Sequence, residues 1–409
     1  MPIMTTDSTT RLPWGILLAA SGILMITMAA RQTTGLFVDP IHRDTGVSIV
    51  DISFALAIGQ LVWGAVQPVF GALADQRGPL PVLIGGGILL AAGLALAPLL
   101  PGGWGLGLSL GLMMAAGAGA GSFSVLIGAT AHRLPAERRS FAAGLINAGG
   151  SLGQFVFAPI LQVVITVAGW GRAMLLTAVV SLLTLPMAWP LRRRAGDHAH
   201  ATAAAESGLR AQLRLALREP SYWYLHLGFF TCGLHIAFLV THLPGEIALC
   251  GLSPTVSSTS IALIGLFNVA GSLLMGYLGQ RYRMKLLLVA LYASRALMIG
   301  LYLVAPPTAS TFYVFAAALG FTWLATVPPT AGLVGKLFGP RYLGTLFGLT
   351  LLSHQVGGFF GAWLGGVVLA NTGNYMVMWY LDIALALIAA VAHFPIREQA
   401  ARLATASTA

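Results

Sequence analysis

Charged residues are scarce in this chain. Asp, Glu, Lys and Arg together make up 8% of its 409 residues, whereas 57% of the residues are hydrophobic. A soluble domain carries about 25% charged residues, so this sequence has too little polar surface to coat a water-soluble globule. The composition therefore predicts an integral membrane protein.

Cysteine and phosphate-binding motifs are scarce as well. Cys232 lies inside an apolar run and Cys250 just beyond another, and two such residues make no disulfide framework. The glycine-rich stretches "AAGAGAGS" and "NAGGSLG" contain no Gly-x-x-x-x-Gly-Lys-Ser/Thr pattern and follow no strand, so they are not phosphate loops. They are typical of close helix packing. We expect neither an ATP-driven mechanism nor a cofactor.

Acidic residues are outnumbered by basic ones, and the net charge is +10. Such a balance can indicate a nucleic-acid partner. Here, however, the basic residues fall between the apolar runs rather than along one face with interleaved aromatic residues. That distribution is typical of membrane topology, so we expect membrane lipids as partners and no nucleic acid.

What the sequence has in abundance is apolar runs of about 20 residues, the length that crosses a bilayer as a helix. Twelve such runs lie near 13–37, 49–74, 79–100, 104–131, 140–166, 171–190, 221–243, 256–279, 286–304, 310–335, 343–370 and 375–395. The predicted fold class is therefore an all-α integral membrane protein with twelve transmembrane helices.

Positive charge between the runs predicts the orientation of the chain. With a cytoplasmic N-terminus, the cytoplasmic segments hold 18 of the 22 Lys and Arg residues, and the opposite side holds only Arg43 and Arg172. By the positive-inside rule, both termini are then cytoplasmic. We expect the protein in the cytoplasmic (inner) membrane of a bacterium, where it functions as a monomer.

The middle of the chain separates two similar halves. "GALADQRGPLPVL" after the second run corresponds to "GYLGQRYRMKLLL" about 205 residues later. Between the halves, "LRAQLRLALREP" has leucines at four-residue spacing with arginines beside them, which indicates either an amphipathic helix on the anionic inner leaflet or a solvated basic loop. We predict six-helix bundles over 1–190 and 221–409, a cytoplasmic linker over 191–220, and a binding site at the midplane between the bundles.

A family resemblance rests on the loop after the second run, Gly71-Ala-Leu-Ala-Asp75-Gln-Arg77-Gly78. It matches the pattern Gly-x-Leu-Ala-Asp-Arg-x-Gly except that the arginine falls one place later, and the whole chain resembles the major facilitator superfamily. The resemblance implies that Asp75 and Arg77 latch the cytoplasmic ends of the halves together in the outward-open state. From the residues alone, Gly71 allows close helix approach and Asp75 can cap the third helix; a turn that only caps this helix is the alternative.

Within the superfamily, "RQTTGLFVDPI" resembles the first helix of the monocarboxylate and oxalate:formate branch, and Arg31 falls on the position of that branch's substrate-attracting lysine. The eighth helix departs from the branch. Monocarboxylate carriers have an Asp there and an Arg four residues later, whereas this chain has Asn268 and Ser272. The ion pair that couples a proton to the carboxylate in those carriers is therefore missing.

Arg31 follows seventeen residues without a charge. A charge at the bilayer centre costs about 3 kcal/mol on insertion scales, so it normally faces a cavity or a partner. Arg31 sits about 27 Å along the first helix, and reaching the lipid headgroups is the alternative. Because the first helix lines the central cavity in this fold, we predict that Arg31 binds a negatively charged group of the substrate.

Other polar residues in the apolar runs complete the predicted site. We predict a structural ion pair between Arg295 and Asp382, with substrate contact by Arg295 as the alternative. His235 and His354 are candidates for carrying a coupled proton, or else they are hydrogen-bonded packing residues. The remaining predicted substrate-binding residues are Asn147, Gln154, Trp323, Thr326, His354 and Gln355.

Pro328 and Pro329 fall inside the tenth run, where they must break the helical hydrogen-bond ladder. The break suits either a moving gate or a static bend.

Together these features predict a secondary transporter that moves a small organic anion, such as a carboxylate, by alternating access. Proton symport, uniport and anion exchange are all compatible with the sequence. An exporter of cationic or apolar compounds is the alternative, but it would favour an acidic residue in the cavity. A membrane enzyme would need a catalytic cluster or a soluble domain, and the sequence has neither, so we do not expect an enzyme.

Overall fold

The computed structural model describes residues 14–131, 136–192, 209–339 and 343–399. Helices account for the regular structure throughout these residues, and no strand occurs among them. The described helices before the central linker are α1 (Trp14–Gln32), α2 (Gly35–Thr45), α3 (Ile49–Arg77), α4 (Pro79–Leu96), α5 (Gly103–Leu106), a π-helical segment (Gly107–Met114), α6 (Ala115–Ala120), α7 (Phe123–Ala131), α8 (Ala136–Ala168), α9 (Trp170–Ser181), α10 (Thr184–Ala188) and a 3₁₀ turn (Trp189–Leu191). The helices that follow are α11 (Leu209–Arg218), α12 (Pro220–Leu249), α13 (Pro254–Leu278), α14 (Met284–Val304), α15 (Ala309–Thr322), α16 (Val327–Phe338), α17 (Leu343–Thr372) and α18 (Met376–His393).

Eleven helical stretches in the described part of the chain are long and apolar enough to cross a membrane. Helix α17 is not among them, although it has 30 residues and no Asp, Glu, Lys or Arg, because His354 and Gln355 lower its mean hydropathy. It packs lengthwise against α3 and α12 and so takes the place of the remaining predicted span. The predicted all-α membrane fold is confirmed.

Four predicted spans are interrupted, and the sixth consists of α9, α10 and the 3₁₀ turn. The first ends at Gln32, and α2 follows it as a separate helix. The fourth consists of α5, the π-helical segment, α6 and α7. The tenth breaks between α15 and α16, as the prolines predicted, and Pro328 and Pro329 occupy the first turn of α16, where a missing N–H leaves no hydrogen bond unmade.

Most buried hydrophobic residues form separate cores in the two halves, and a small cluster of Ala57, Ala237 and Ala362 joins the halves. One core joins α12 to α18 and includes the inward side of α11. Two others lie among α1 to α10, and Ile261 is the single described residue of the C-terminal half that belongs to them. The two bundles meet where α17 packs on α3 and where α13 packs on α8.

These two contacts between the bundles are related by the internal repeat. A Cβ on Gly265 would lie 3.1 Å from the Cβ of Gln154, and a Cβ on Gly64 would lie 2.6 Å from the Cβ of Gln355. Both the glutamines and the glycines are 201 residues apart in sequence. In each contact a buried glutamine of one bundle therefore packs against a glycine of the other.

At the end of the molecule that contains α2, which the charge distribution predicts to be periplasmic, the bundles touch directly. A Cβ on Gly35 would lie 2.0 Å from the carbonyl oxygen of Val240, and one on Gly366 would lie 2.5 Å from Oγ of Ser53. Phe54 packs edge-on against Phe359, with ring centroids 6.2 Å apart. The space between the bundles is therefore closed toward this end.

The loop that carries the family resemblance differs in part from expectation. Helix α3 continues to Arg77, which is exposed, and Gly78 adopts φ +86° between α3 and α4. Position 75 thus lies in the last turn of α3, and the N-cap of α4 is Gly78 rather than Asp75. A Cβ on Gly71 would meet nothing within 4 Å among the described residues, so this part of the chain shows no close helix approach at Gly71. The side chain of Asp75 lies outside the described residues.

Part of the predicted linker, residues 193–208, also lies outside the described residues. The predicted amphipathic helix is present as α11. Its Ala216 is fully buried, and Gln212 donates from Nε2 to the carbonyl of Phe338 at 3.0 Å. One side of α11 therefore docks on the C-terminal bundle, while Leu217 stays exposed.

Helix α13 packs closely against α15 because Gly271 has no side chain. A Cβ there would lie 1.7 Å from the carbonyl oxygen of Phe321, whereas a Cβ on Gly276 of the same helix would meet nothing within 4 Å. We expect Gly271→Ala to destabilise the protein by about 1–3 kcal/mol through overpacking, and Gly276→Ala to leave its stability unchanged or slightly raised. Thermal unfolding of the purified variants in detergent measures both, and equal melting temperatures would contradict this account of the contact.

Candidate functional site

A cavity of about 120 Å³ lies between the two bundles. The N-terminal half contributes residues of α1, α3, α7 and α8 to its wall, and the C-terminal half contributes residues of α12, α17 and the segment that joins α15 to α16. Since one water needs roughly 10–15 Å³ of such space, the cavity has room for about ten waters or one small solute.

Arg31 lines this cavity. Its guanidinium donates through Nη2 to Oε1 of Gln60 at 2.7 Å and lies over the ring of Trp63, with the central carbon 3.8 Å from the ring centroid. Among the described residues of the cavity wall, none is acidic. The cation is thus held in place by neutral groups, and no carboxylate in the described wall balances its charge.

Several other N–H groups of the wall have no partner. The indole nitrogens of Trp63 and Trp323 are buried and unpaired within the described part of the chain, as is Nε2 of Gln67. The amide oxygen of Gln67 accepts from Ser124 at 3.1 Å, which leaves its NH₂ group free to donate. Nε2 of His354 is also buried without a partner among the described residues. A buried polar group without a hydrogen bond is costly, so these groups are suited to a solute rich in acceptors.

A model of the Major Facilitator Superfamily matches residues 20–361 and 248–409. The chain belongs to the major facilitator superfamily. It is a multi-pass membrane transporter of that class, and the resemblance found in the sequence is confirmed.

Curated relatives within the superfamily include transporters of anions by name. The chain is 22% identical to the oxalate:formate antiporter of Oxalobacter formigenes over 88% of this chain and 86% of that protein. It is 28% identical to monocarboxylate transporter 13 of Rattus norvegicus over 88% and 83% of the two chains.

Solved structures of the superfamily share the fold. The structure of a D-xylose-proton symporter superposes with a TM-score of 0.72 at 15% identity, over 94% of this chain and 97% of that one. An inward-facing, occupied bacterial homologue of the human lysosomal transporter Spinster superposes with a TM-score of 0.68 at 14% identity, over 95% and 97% of the chains. At these identities the likeness concerns the fold alone.

In this superfamily transporter, the cavity gathers most of the residues that the sequence singled out as substrate-binding. Arg31, Asn147, Trp323, His354 and Gln355 all line it. The glutamine side chain at 355 reaches the cavity from the α17–α3 contact, and its Nε2 lies 3.0 Å from Nδ1 of His354.

Gln154 and Thr326 were predicted to line the cavity but are not in its wall. Gln154 is buried where α8 packs on Gly265 of α13. Thr326 lies in the unwound turn, and its hydroxyl faces the thiol of Cys232 at 3.6 Å inside the C-terminal bundle. The sequence predicted how far along its helix each residue lies. The direction of each side chain, however, depends on how the neighbouring helix packs.

The predicted ion pair between Arg295 and Asp382 is wrong. Nδ1 of His235 lies 2.7 Å from Oδ2 of Asp382. Arg295 instead donates from Nη2 to the carbonyl oxygens of Thr322 and Trp323, at 2.8 Å and 3.3 Å. No direct contact joins the two charged groups in the described structure. The unwound turn frees these carbonyls, and in a membrane interior they need a donor from elsewhere in the protein.

Corresponding hydrogen bonds stabilise the breaks in the fourth and tenth spans. Thr27 of α1 donates to the carbonyl of Gly121 at 3.2 Å, and Cys232 of α12 donates its thiol to the carbonyl of Trp323 at 3.8 Å. Thr27 and Cys232 are 205 residues apart, the offset of the sequence repeat. Each broken cavity helix is thus satisfied in part by the first helix of its own bundle.

Asn268 occupies the position where monocarboxylate carriers have an Asp. Its Nδ2 donates to Oγ of Ser151 across the bundle interface at 2.9 Å, and its Oδ1 accepts from the backbone N–H of Leu324 at 3.0 Å. Ser272 donates to the same oxygen at 3.3 Å. This neutral network ties the unwound turn of the C-terminal bundle to α8, and it explains the residues that replace the ion pair.

The sequence did not single out Gln60, Trp63 or Gln67, which form the polar side of α3 in the cavity. Their spacing of three and four residues on an otherwise apolar helix is a signal that reveals a cavity-facing stripe.

Proposed function

We propose that this protein is a secondary transporter of a small organic anion, a carboxylate, which it moves across the membrane by alternating access. The observation that carries the proposal is the position of Arg31. A permanent cation lies on the wall of a cavity between two pseudo-symmetric bundles, and the described wall holds no acid to balance it.

The hydrogen-bonding capacity of the wall supports the same substrate class. Trp63 and Gln67 add unpaired donors beside Arg31, while Trp323 and His354 present nitrogen groups from the other bundle. A carboxylate has two oxygens and about four acceptor sites, so it can accept from several of these groups at once. The small cavity favours an anion of a few heavy atoms.

The location we propose is the inner membrane of a bacterium, with both termini in the cytoplasm. This orientation follows from the distribution of Lys and Arg between the spans. With that orientation, the end at which the bundles touch directly faces the periplasm, and we infer that this conformation exchanges substrate with the cytoplasm. The latch role of Asp75 and Arg77 stays a proposal for the opposite, outward-open state.

Reconstitution into proteoliposomes tests the substrate class. Uptake of formate, acetate, lactate, oxalate and succinate is compared with uptake of the lipophilic cation tetraphenylphosphonium, with and without a pH gradient. We expect at least one carboxylate to enter faster than in protein-free vesicles, and the cation not to. Transport of the cation alone would overturn the anion assignment in favour of an exporter of cationic or apolar compounds.

A further inference from the structure

Asp382 is an unusual residue in this structure. Among the described residues it is the only acidic side chain that is fully enclosed, with 1% of its surface exposed. Its hydrogen-bond partner, His235, is 1% exposed as well. A carboxylate and an imidazole 2.7 Å apart therefore lie inside the C-terminal bundle, where neither is needed to cap the unwound turn.

The pair is incompletely satisfied. Oδ1 of Asp382 and Nε2 of His235 are buried and have no partner within the described residues. With Asp382 ionised, Nδ1 of His235 donates its hydrogen to the carboxylate, so the ring tautomer is fixed and Nε2 carries a lone pair. Nε2 is thus a proton acceptor that the resting structure leaves unused.

Several charged or titratable groups surround the His235–Asp382 pair. The titratable and charged groups on the elements packed around this part of α12 are Arg295 and Tyr292 of α14, His354 of α17 and Asp382 of α18, with Cys232 on α12 itself. Arg295 and Asp382 contribute one charge of each sign. Protonation of Nε2 of His235 adds one positive charge to this group of residues.

The pair lies directly behind the cavity wall. Gly233, Ile236 and Ala237 of α12 line the cavity, whereas α18, which holds Asp382, contributes no described residue to the lining. The imidazole is therefore on the far side of the helix from the cavity, and a bound anion lies roughly one helix diameter, about 10 Å, away.

We propose that the His235–Asp382 pair is the proton-binding site that couples anion transport to the pH gradient, with the proton carried on Nε2 of His235. The inference rests on the proposed function, because it assigns the driving ion of that transport. A proton at Nε2 and an anion beside Arg31 have opposite charges, so each strengthens the binding of the other, by symmetry of linkage. At about 10 Å and an effective dielectric constant near 20, the effect is on the order of tenfold.

The pair lies between α12 and α18 rather than beside the substrate. The proton and the anion then bind at separate places in the protein, and their charges cancel. With one proton for each monovalent anion, the transported couple carries no net charge.

The deciding variant is His235→Asn, because its amide can still donate to Asp382 but cannot take up a proton. Proteoliposomes carrying wild type or variant are tested for exchange of labelled anion at equal pH and for uptake driven by an inward proton gradient, with formate, lactate and oxalate as probes. We expect the variant to keep exchange within about twofold and to lose the gradient-driven acceleration. Acceleration equal to that of wild type would overturn the proposal. The matched control is His226→Asn, which removes another histidine of α12 that contacts Ser353 and does not line the cavity, and it should keep the response to the gradient.

A second measurement does not depend on transport. The melting temperatures of wild type and His235→Asn are compared between about pH 5 and pH 8, the range in which histidine titrates. We expect wild type not to lose stability relative to the variant as the pH falls, because the folded protein then binds at His235 the proton that the unfolded chain also binds. A relative loss of wild-type stability at low pH would mean that the folded protein keeps His235 unprotonated, and it would overturn the proton site. If no anion is transported at all, the proposed function fails, while this comparison still decides whether His235 binds a proton.

Should His235→Asn not fold, infrared difference spectra of wild-type protein with ring-labelled histidine replace it. Imidazolium bands paired with a carboxylate, absent from Asp382→Glu at the same pH or shifted in it, support the site. A spectrum without such bands across this pH range contradicts it.

Discussion

Replacing Arg31 by alanine is expected to reduce the initial rate of carboxylate uptake on the order of 100-fold at substrate concentrations below saturation. A carboxylate about 4 Å from the guanidinium gains about 4 kcal/mol at an effective dielectric constant of 20, and part of this is offset by desolvation of the two ions. A remaining loss of about 2.8 kcal/mol corresponds to two factors of ten. Initial uptake of radiolabelled anion into proteoliposomes measures the effect.

Arg31→Lys separates charge from shape. Lysine keeps the cation, but it lacks the planar group that stacks on Trp63 while donating to Gln60. We therefore expect an intermediate loss, roughly tenfold. Arg43→Ala is the matched control, because Arg43 is exposed and pairs with Asp39 in α2, at 3.0 Å, outside the cavity. Its uptake should equal that of wild type. Undiminished uptake by Arg31→Ala would remove the assigned role and leave the superfamily fold with another cargo.

The architecture was readable from the sequence because it follows from apolar length. A segment that crosses a bilayer must satisfy its backbone hydrogen bonds within the protein, so long apolar runs predict helices, and the spacing of similar loops predicts the repeat. The π-helical segment Gly107–Met114 carries no such signal. It lies where α4 approaches so closely that a Cβ on Gly93 would be 2.5 Å from the backbone nitrogen of Met114, a contact between distant parts of the chain.

The site was predictable in depth but not in direction. Counting residues along α1 put Arg31 near the end of that helix, and the resemblance to the superfamily predicted that α1 lines the cavity, as Arg31 does. The same counting put Arg295 and Asp382 at one level and suggested an ion pair. Equal depth in the membrane does not show which way a side chain points. The unwound turn between α15 and α16 presents two carbonyl groups that accept from Arg295, and no sequence pattern predicts them.

The hydrogen bonds of Arg295 to the unwound turn are therefore expected to stabilise the protein. Arg295→Met is expected to destabilise the protein by about 1–3 kcal/mol, because it leaves the carbonyl of Thr322 without its donor in the bundle interior and leaves that of Trp323 with only the thiol of Cys232. Methionine retains much of the apolar volume, so packing losses stay small by comparison. Thermal unfolding in detergent, followed by size-exclusion chromatography of the heated sample, measures the change.

Arg281→Met is the matched control for this experiment. Arg281 is also an arginine of the C-terminal half, but it is exposed, with its guanidinium 4.5 Å from the ring of Tyr277. An exposed cation–π contact is worth about 0.5–1 kcal/mol, so this variant should remain close to wild type. Arg295→Lys should recover part of the loss, since an ammonium can donate to a carbonyl but reaches two of them less well than the planar fork. If Arg295→Met has the same melting temperature as wild type, the carbonyl groups of the unwound turn do not need the guanidinium as a donor. Arg295 would then act on the cavity instead, through its contact with Trp323.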